Sequence, residues 1–567
     1  MAGTLRLSKI TFKAGPAPGK SYLEIQPGTV LVFVGPNNSG KSLSLHEIEN
    51  WCFGQDRICK IIDSLQVDFP TDPKVAENLL RQFQTTPPQG HGETPGTFWI
   101  GQHTFREDQQ VRHLQISIES LKDATTNTNL NTLRQWLSAS YTVRLDGRTR
   151  FLLADPKPTG DLQLHPQNHL WALFKDAAAR ERVRKLTAEA FGLYFVIDPT
   201  AMRTFRIGMS SRAPKTESEE QSLDDTARNF HAQAQPIANL SDGVQAFVGL
   251  VSAILSLPHK IVLVDEPDAF LHPPLARRLA GNLAEVARDR DASLVVATHS
   301  SEFVIGCLEA VEQTSVVRLT YEGGIATARA LSSQELSTMI RDPLLRSTEV
   351  LRALFHRAAV VTEADSDRAF YDEMNRRLLS GNRGVKDAIF LNAQNKQTVH
   401  RLVAPLRRIG IPAAAIVDLD ILSEGGTVWQ SLLNACQINV GKLAAFEAER
   451  EYLHNIFSTI PIGSDQKPAI KGQGLKALKQ SDHDRAIALL NELSCYGLFV
   501  VPLGEVESWL SHLSAKGHGS EWLVDLFSRI GHSESEPNYL KPGQNDVWQF
   551  LDKIANWVNN PSRQGTD

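Results

Sequence analysis

Two sets of residues in this 567-residue chain have the types and spacing for phosphate and metal chemistry. The first begins with Gly35-Pro36-Asn37-Asn38-Ser39-Gly40-Lys41-Ser42. Glycines at Gly35 and Gly40 let backbone N–H groups, Asn38 among them, turn inward onto a triphosphate. Lys41 places a positive charge on the β and γ phosphates, and Ser42 is a Mg²⁺ ligand. Farther along, the apolar run Ile261–Val264 ends in Asp265-Glu266. An acid at such a strand end can hold the Mg²⁺ shell, the role expected of Asp265. Glu266 can polarise the attacking water as general base. One helix and strand later, the run SLVVAT ends at His299, which is expected to touch the γ-phosphate.

The second set lies about three hundred residues downstream of the phosphate loop. Glu363 ends the run AAVVT, and Asp367 follows one turn into a helix. The run AAAIV ends in Asp418-Leu419-Asp420. On an extended strand, side chains two apart share a face, so Asp418 and Asp420 are expected to point at one site. Carboxylates at the C-terminal ends of parallel strands are placed to bind a hard cation. Catalytic roles are assigned to Glu363 and Asp418, and metal ligation to Glu363, Asp367, Asp418 and Asp420. Glu505 and Glu507, after the late strand GLFVV, are candidate further ligands. Lys396, after AIFLNAQ, is a candidate catalytic cation that activates a base or neutralises the transition state, with Lys516 a weaker one.

These residues need two α/β frameworks. Short strands over Thr4–Phe12, Tyr22–Ile25 and Thr29–Val34 lead to a helix starting at Lys41, whose positive dipole end faces the phosphates. Helix–strand alternation resumes from Leu240 to Ser301 and again from Ala358. The expected organisation is therefore an ATPase domain over 1–345, a second domain over 350–560 with a parallel sheet, and a disordered tail over 560–567. Within the first domain, 55–235 reads as an inserted helical and β lobe, a possible dimerisation region. It contains a hairpin candidate, YTVRLDGRTRFLL, turning at Asp146-Gly147. The basic stretches RRLLSGNRGVK and HRLVAPLRR are either solvated helix faces or holders of a nucleic-acid backbone.

The segment Leu240-Ser241-Asp242-Gly243-Val244-Gln245 is by itself only a helix start. Its place in the order phosphate loop, LSDGVQ, LVDEP, ATHS resembles the ABC ATPase superfamily, in the branch holding SMC-like repair ATPases and the OLD nucleases. The order E…D…DxD resembles the TOPRIM domain, whose family binds Mg²⁺ for phosphodiester chemistry. Together they resemble the OLD family, which joins an ABC ATPase to a C-terminal TOPRIM nuclease. The resemblance covers about Thr4–Ser42, Asn239–Asp420 and Tyr496–Leu510. It implies that Ser241 and Gly243 contact the γ-phosphate bound by a second copy, so that ATP is sandwiched in a head-to-tail homodimer. The usual signature is closer to LSGGQ; Asp242 and Val244 stand where Gly and Gln are usual, which points to slow hydrolysis or ATP used as a clamp. A glutamine-bearing loop should precede the signature, with Gln102, Gln109 and Gln110 as candidates. The implied cofactors are ATP and Mg²⁺, with Mn²⁺ an alternative in the second site. The implied partners are DNA, or RNA, and a further copy or copies of the chain. A role in defence against phage, with a possible partner protein, follows from the same resemblance. The alternative from another class is an ATPase sensor or scaffold whose C-terminal domain binds nucleic acid without cutting.

Composition narrows the field less. A net charge of −5 favours no partner, since phosphate binding needs only a local basic patch. Five cysteines without a C-x-x-C pair indicate neither a zinc site nor a disulfide framework. The N-terminus lacks an apolar signal region, and the longest apolar run, Ala246–Pro258, is too short to span a bilayer. A cytoplasmic protein without membrane partners is expected.

Overall fold

A computed structural model describes residues 5–55, 57–92, 94–103, 111–147, 149–164, 166–256, 258–460 and 469–566. The chain divides into two compact units, one of 1–34 with 38–333 and one of 334–567 with 35–37. The division at 333 falls ahead of the boundary expected near 345.

The first unit is built on a six-stranded sheet. Its order is Ile325–Leu331, Thr314–Glu322, Val30–Val34, Ser293–Ala297, Ile261–Asp265 and Thr142–Leu145. Only the edge strand Ile325–Leu331 runs antiparallel; every other pairing is parallel. Val30–Val34 and Ser293–Ala297 are buried along their whole length, as continuous apolar runs in a doubly covered parallel sheet must be. The strand ending at Ala297 lies between the phosphate-loop strand and the strand ending at Asp265. That order lines up three strand ends at one edge. A smaller antiparallel sheet, Glu24–Ile25, Arg6–Phe12 and Ile62–Asp68, packs its apolar side chains into the same core.

Two expectations for the stretch 55–235 are corrected here. Ile62–Asp68 and Thr142–Leu145 belong to these sheets, so the stretch is not wholly an insertion. The segment 141–153 is not a hairpin either. Thr142–Leu145 pairs parallel with Ile261–Val264, and the chain then enters the helix Thr149–Ala154. Burial decides this against the Asp-Gly turn signal. Gly249 of the helix Asp242–Ser256 comes so close to that short helix that a Cβ there would stand 2.3 Å from the Arg150 carbonyl oxygen.

The second unit has a four-stranded, all-parallel sheet in the order Ala388–Asn392, Ala358–Thr362, Ala413–Val417 and Leu498–Val500. Helices Asp365–Ser380 and Val399–Arg408 follow the first two strands in chain order. Several basic residues in these helices and just after them are structural ties. Arg377, fully buried, donates to the carbonyls of Ile530, Gly531 and Leu540 and pairs with Glu373 at 2.7 Å. Arg383 pairs with Asp552, Arg401 with Asp342, and buried Arg407 donates to the carbonyls of Ala413, Cys436 and Gly565. Neither basic stretch is thus simply a solvated face or a free phosphate-binding strip. The expected disordered tail is corrected as well: Gly565 accepts from Arg407 at 2.8 Å, and Gln564 accepts from Trp557 Nε1 at 3.3 Å. Among the described residues no helix is long and apolar enough to cross a membrane.

Candidate functional site

In the first unit the phosphate loop takes the backbone its sequence demands. Gly35, Asn38 and Gly40 have φ of 140°, 60° and 97°. Gly40 precedes the helix Lys41–Cys52 with no side-chain cap hydrogen bond, and the positive end of such a helix attracts an anion. A Cβ on Gly40 would stand 2.7 Å from the Ile61 Cδ1, so packing as well as conformation calls for glycine. Lys41 is buried.

Ser42 Oγ donates to Asp265 Oδ1 at 3.0 Å, so the two expected Mg²⁺ ligands meet across 223 residues of sequence. Burial pushes the Asp265 carboxyl up, opposed by the Ser42 hydrogen bond and reinforced by the charge of Glu266. Glu266 sits at φ 48°, a conformation that costs a non-glycine residue about 1 kcal/mol or more and persists only where the surroundings enforce it. Here its N–H donates to the Ala297 carbonyl at 2.8 Å, tying the turn to the neighbouring strand. Its carboxylate lies 3.5 Å from His299 Nε2, with both side chains partly open to solvent.

Two residues at this site escaped the sequence reading. Asp268 accepts from the buried Thr298 hydroxyl, linking the turn after Asp265 to the residue before His299. Arg150, 1% exposed, donates Nη2 to the Asp265 carbonyl at 3.0 Å, while its Nη1 is buried without a partner among the described residues. Burial lowers its pKa, against the charges of Asp268, Asp265, Glu266 and Asp146. No spacing rule marks a buried arginine on a neighbouring segment, and the turn signal at Asp146-Gly147 masked its helix. Ser241 immediately precedes the helix Asp242–Ser256 and is exposed, and Gly243 packs so that a Cβ would stand 2.7 Å from the Phe270 carbonyl oxygen. Gln102 is buried and donates to the Gln135 carbonyl and the Ser140 hydroxyl, which makes it a structural residue. Gln109 and Gln110 lie outside the described residues.

In the second unit, Glu363 and Asp418 follow the C-terminal ends of adjacent strands, and Glu363 Oε1 accepts from the Asp418 N–H at 2.9 Å. Burial pushes both carboxyls well above the ordinary range, and each raises the other or is raised by the remaining acids. Asp367, in the first turn of Asp365–Ser380, accepts from the Ala364 N–H at 3.2 Å. Burial and the charge of Glu507 push it up to about 6.

The expectation that Asp418 and Asp420 share one face of an extended strand is corrected. The strand stops at Val417, Asp418 caps a 3-10 turn, and Asp420 lies inside that turn, Leu419–Leu422. Asp420 Oδ2 accepts from Lys396 Nζ and from Lys471 Nζ, each at 2.9 Å. Although buried, its carboxyl is held below the ordinary range by these two ammonium groups. Its Oδ1 is buried with no hydrogen-bond partner among the described residues. Lys471 also escaped the sequence, since nothing in KPAIKGQG signals its partner. Glu505 is buried beside the turn Val506–Ser508, and Glu507 accepts from the Gly519 N–H at 2.8 Å and pairs with His518. Lys516 is exposed, and its N–H donates to Asp525.

These oxygens suit a hard divalent cation: buried carboxylates repel one another, and one buried Oδ1 lacks a donor. As they stand, no group of three or more His, Cys, Asp and Glu among the described residues is gathered into a metal-holding arrangement.

Comparison with known proteins finds a family match within each unit. Residues 175–305 match the family model described as "AAA domain, putative AbiEii toxin, Type IV TA system". Residues 354–420 match the model of the overcoming lysogenization defect protein-like TOPRIM domain. Among solved structures, an SMC head bound to the C-terminal winged-helix domain of ScpA is 14% identical, covering 59% of this chain and 99% of that one at a TM-score of 0.34. The SMC head domain from Thermotoga maritima is 17% identical, covering 58% and 99% at a TM-score of 0.29. Among curated protein sequences, none matches.

Proposed function

The chain joins an ATPase domain of the AAA family model to an OLD-like TOPRIM domain, and from that premise we propose that it is an ATP-binding, ATP-hydrolysing, metal-dependent endonuclease of OLD type. One observation carries the reading. Half-buried Glu363 and Asp418, joined by the hydrogen bond from the Asp418 N–H, stand at the ends of adjacent parallel strands with buried Asp367 in the following helix, and each carboxyl is raised, an arrangement that costs stability unless a cation binds there.

In the ATP site, Lys41 and the first turn of its helix would hold the triphosphate, and Ser42 with Asp265 would hold Mg²⁺. Glu266 orients and deprotonates the attacking water, and His299 steadies that carboxylate and faces the γ-phosphate. Arg150 is a positioning residue, fixing the Asp265 turn from behind. Ser241 and Gly243 complete the ATP site of a second copy, making a head-to-tail homodimer.

In the second site, Glu363, Asp367 and Asp418 would hold Mg²⁺ or Mn²⁺, with Asp420 Oδ1 beside them. Such a cation supplies Lewis-acid activation of water and of the leaving oxygen. Glu505 and Glu507 are outer supports, Glu507 through Asp367. Lys396 contributes positive charge near the scissile phosphodiester. DNA is the default substrate and RNA the alternative, with defence against invading nucleic acid the setting.

The test is cleavage of plasmid DNA and of RNA with Mg²⁺ or Mn²⁺, with and without ATP. Wild type should nick, and Glu363→Ala and Asp418→Ala should lose at least about a hundredfold in rate. Cleavage that persists in both variants would sink the assignment of the cut to this site, and no cleavage by wild type would leave the ATPase sensor or scaffold reading in its place.

A further inference from the structure

Asp420 connects two kinds of chemistry, because its two oxygens have different surroundings. Oδ2 is shared by two ammonium groups, Lys396 and Lys471, each at 2.9 Å. Lys396 also meets Glu424 at 2.8 Å. Two like charges on one carboxylate oxygen repel at short range, and a further anion relieves that repulsion. An ammonium carries three donors. The described contacts use two of Lys396 and one of Lys471, and the Lys471 side chain keeps 36% of its surface exposed.

The position of Lys471 is set by main chain rather than by a flexible side chain alone. It lies in the short helix Ala469–Gly472, and a Cβ on Gly504 would stand 2.2 Å from its carbonyl oxygen. The Gly504 carbonyl accepts from the Leu419 N–H at 2.9 Å, between Asp418 and Asp420. Downstream, Leu475 N–H donates to the Pro502 carbonyl at 3.0 Å. The loop 502–504 thus clamps the Lys471 segment to the turn that carries both aspartates.

We infer that Lys396 and Lys471 form a phosphodiester-binding subsite of the second unit, anchored on Asp420 Oδ2, which holds the nucleic-acid backbone next to the carboxylates. Asp420 then serves as the joint between substrate and metal sites, and Lys471 as a substrate-binding residue. This rests on the nuclease reading above.

The test is binding of short fluorescent DNA and RNA duplexes and single strands to the full chain in EDTA, where no cleavage occurs, across a salt series. Lys471→Ala and Lys396→Gln should each weaken binding several-fold and lower the slope of log affinity against log salt by roughly one. Lys471→Arg should keep both near wild type. Mn²⁺ binding measured by calorimetry should remain in Lys471→Ala, which shows that the unit is intact. If Lys471→Ala and Lys396→Gln both bind with wild-type affinity and slope, the subsite is overturned while the nuclease reading stands. If wild type binds neither DNA nor RNA in EDTA, the subsite is overturned, and the cleavage assay with Mg²⁺ or Mn²⁺ decides the nuclease reading separately.

Discussion

At the scale of single residues, the carboxylates of the second unit make a pH prediction with a definite sign. Glu363, Asp367 and Asp418 are all raised by burial, Asp367 to about 6, whereas in an unfolded chain such groups titrate near 4. Between those values the folded state holds more protons than the unfolded, so their contribution to stability falls as pH rises through that window. Asp420, held low by its lysines, acts oppositely and loses its contribution on acidification. Metal-free protein should therefore melt at a lower temperature at about pH 8 than at about pH 5.5. Asp418→Asn should flatten that dependence, and Mg²⁺ should reverse it in wild type alone. Arg150 gives the second prediction at this scale. Arg150→Met should keep nucleotide affinity near wild type and cut the steady-state ATPase rate by roughly tenfold or more, because the Asp265–Glu266 turn loses its donor from behind. Equal rates would remove Arg150 from the site. The residues legible in the sequence were those with local spacing: Gly40-Lys41-Ser42, Asp265-Glu266, and the strand-end acids Glu363 and Asp418. Arg150 and Lys471 were not legible, because each gains its role from a partner far away in the chain.

At the scale of elements, the errors have a common source. A turn signal at Asp146-Gly147 and an alternating acid pair at Asp418 and Asp420 are local statements, and packing overrode both. Thr142–Leu145 found a parallel neighbour 119 residues away in sequence, at Ile261–Val264, and the chain after Val417 turned to meet the loop at Gly504. Charge patterning failed similarly, since nothing near Arg383 announces Asp552, 169 residues on. Gly504 tests the importance of that meeting. Its φ is 110°, and a Cβ would stand 2.2 Å from the Lys471 carbonyl oxygen. Gly504→Ala should cost about 1–3 kcal/mol of stability through strain and overpacking. It should also displace Lys471 and so weaken nucleic-acid binding, read by melting and by the salt series together. Melting unchanged within error would show that the clamp yields without cost.

At the scale of the whole molecule, the joining of two such units in one chain predicts that nucleotide bound in the first alters cleavage by the second. Lys41→Ala should abolish ATP binding in a filter or fluorescence assay, leave Mn²⁺ affinity of the second unit intact, and remove the ATP dependence of cleavage. Cleavage that responds to ATP in the variant as in wild type would show that the phosphate loop is not the controlling site. Both frameworks were readable in advance from alternation of strand and helix, but their closure was not, because the strands that complete each sheet come from distant parts of the chain.

That closure has a consequence for biosynthesis. Val30–Val34, buried on both faces, takes its sheet partners from Ser293–Ala297 and Thr314–Glu322. During translation it must wait for some 260 further residues, on the order of ten seconds to a minute at ordinary elongation rates. An apolar strand with neither neighbour present is an aggregation hazard for that interval. Faster synthesis from a strong promoter at high temperature should therefore yield more inclusion bodies, and holdase chaperones should be recovered on nascent chains arrested before residue 293.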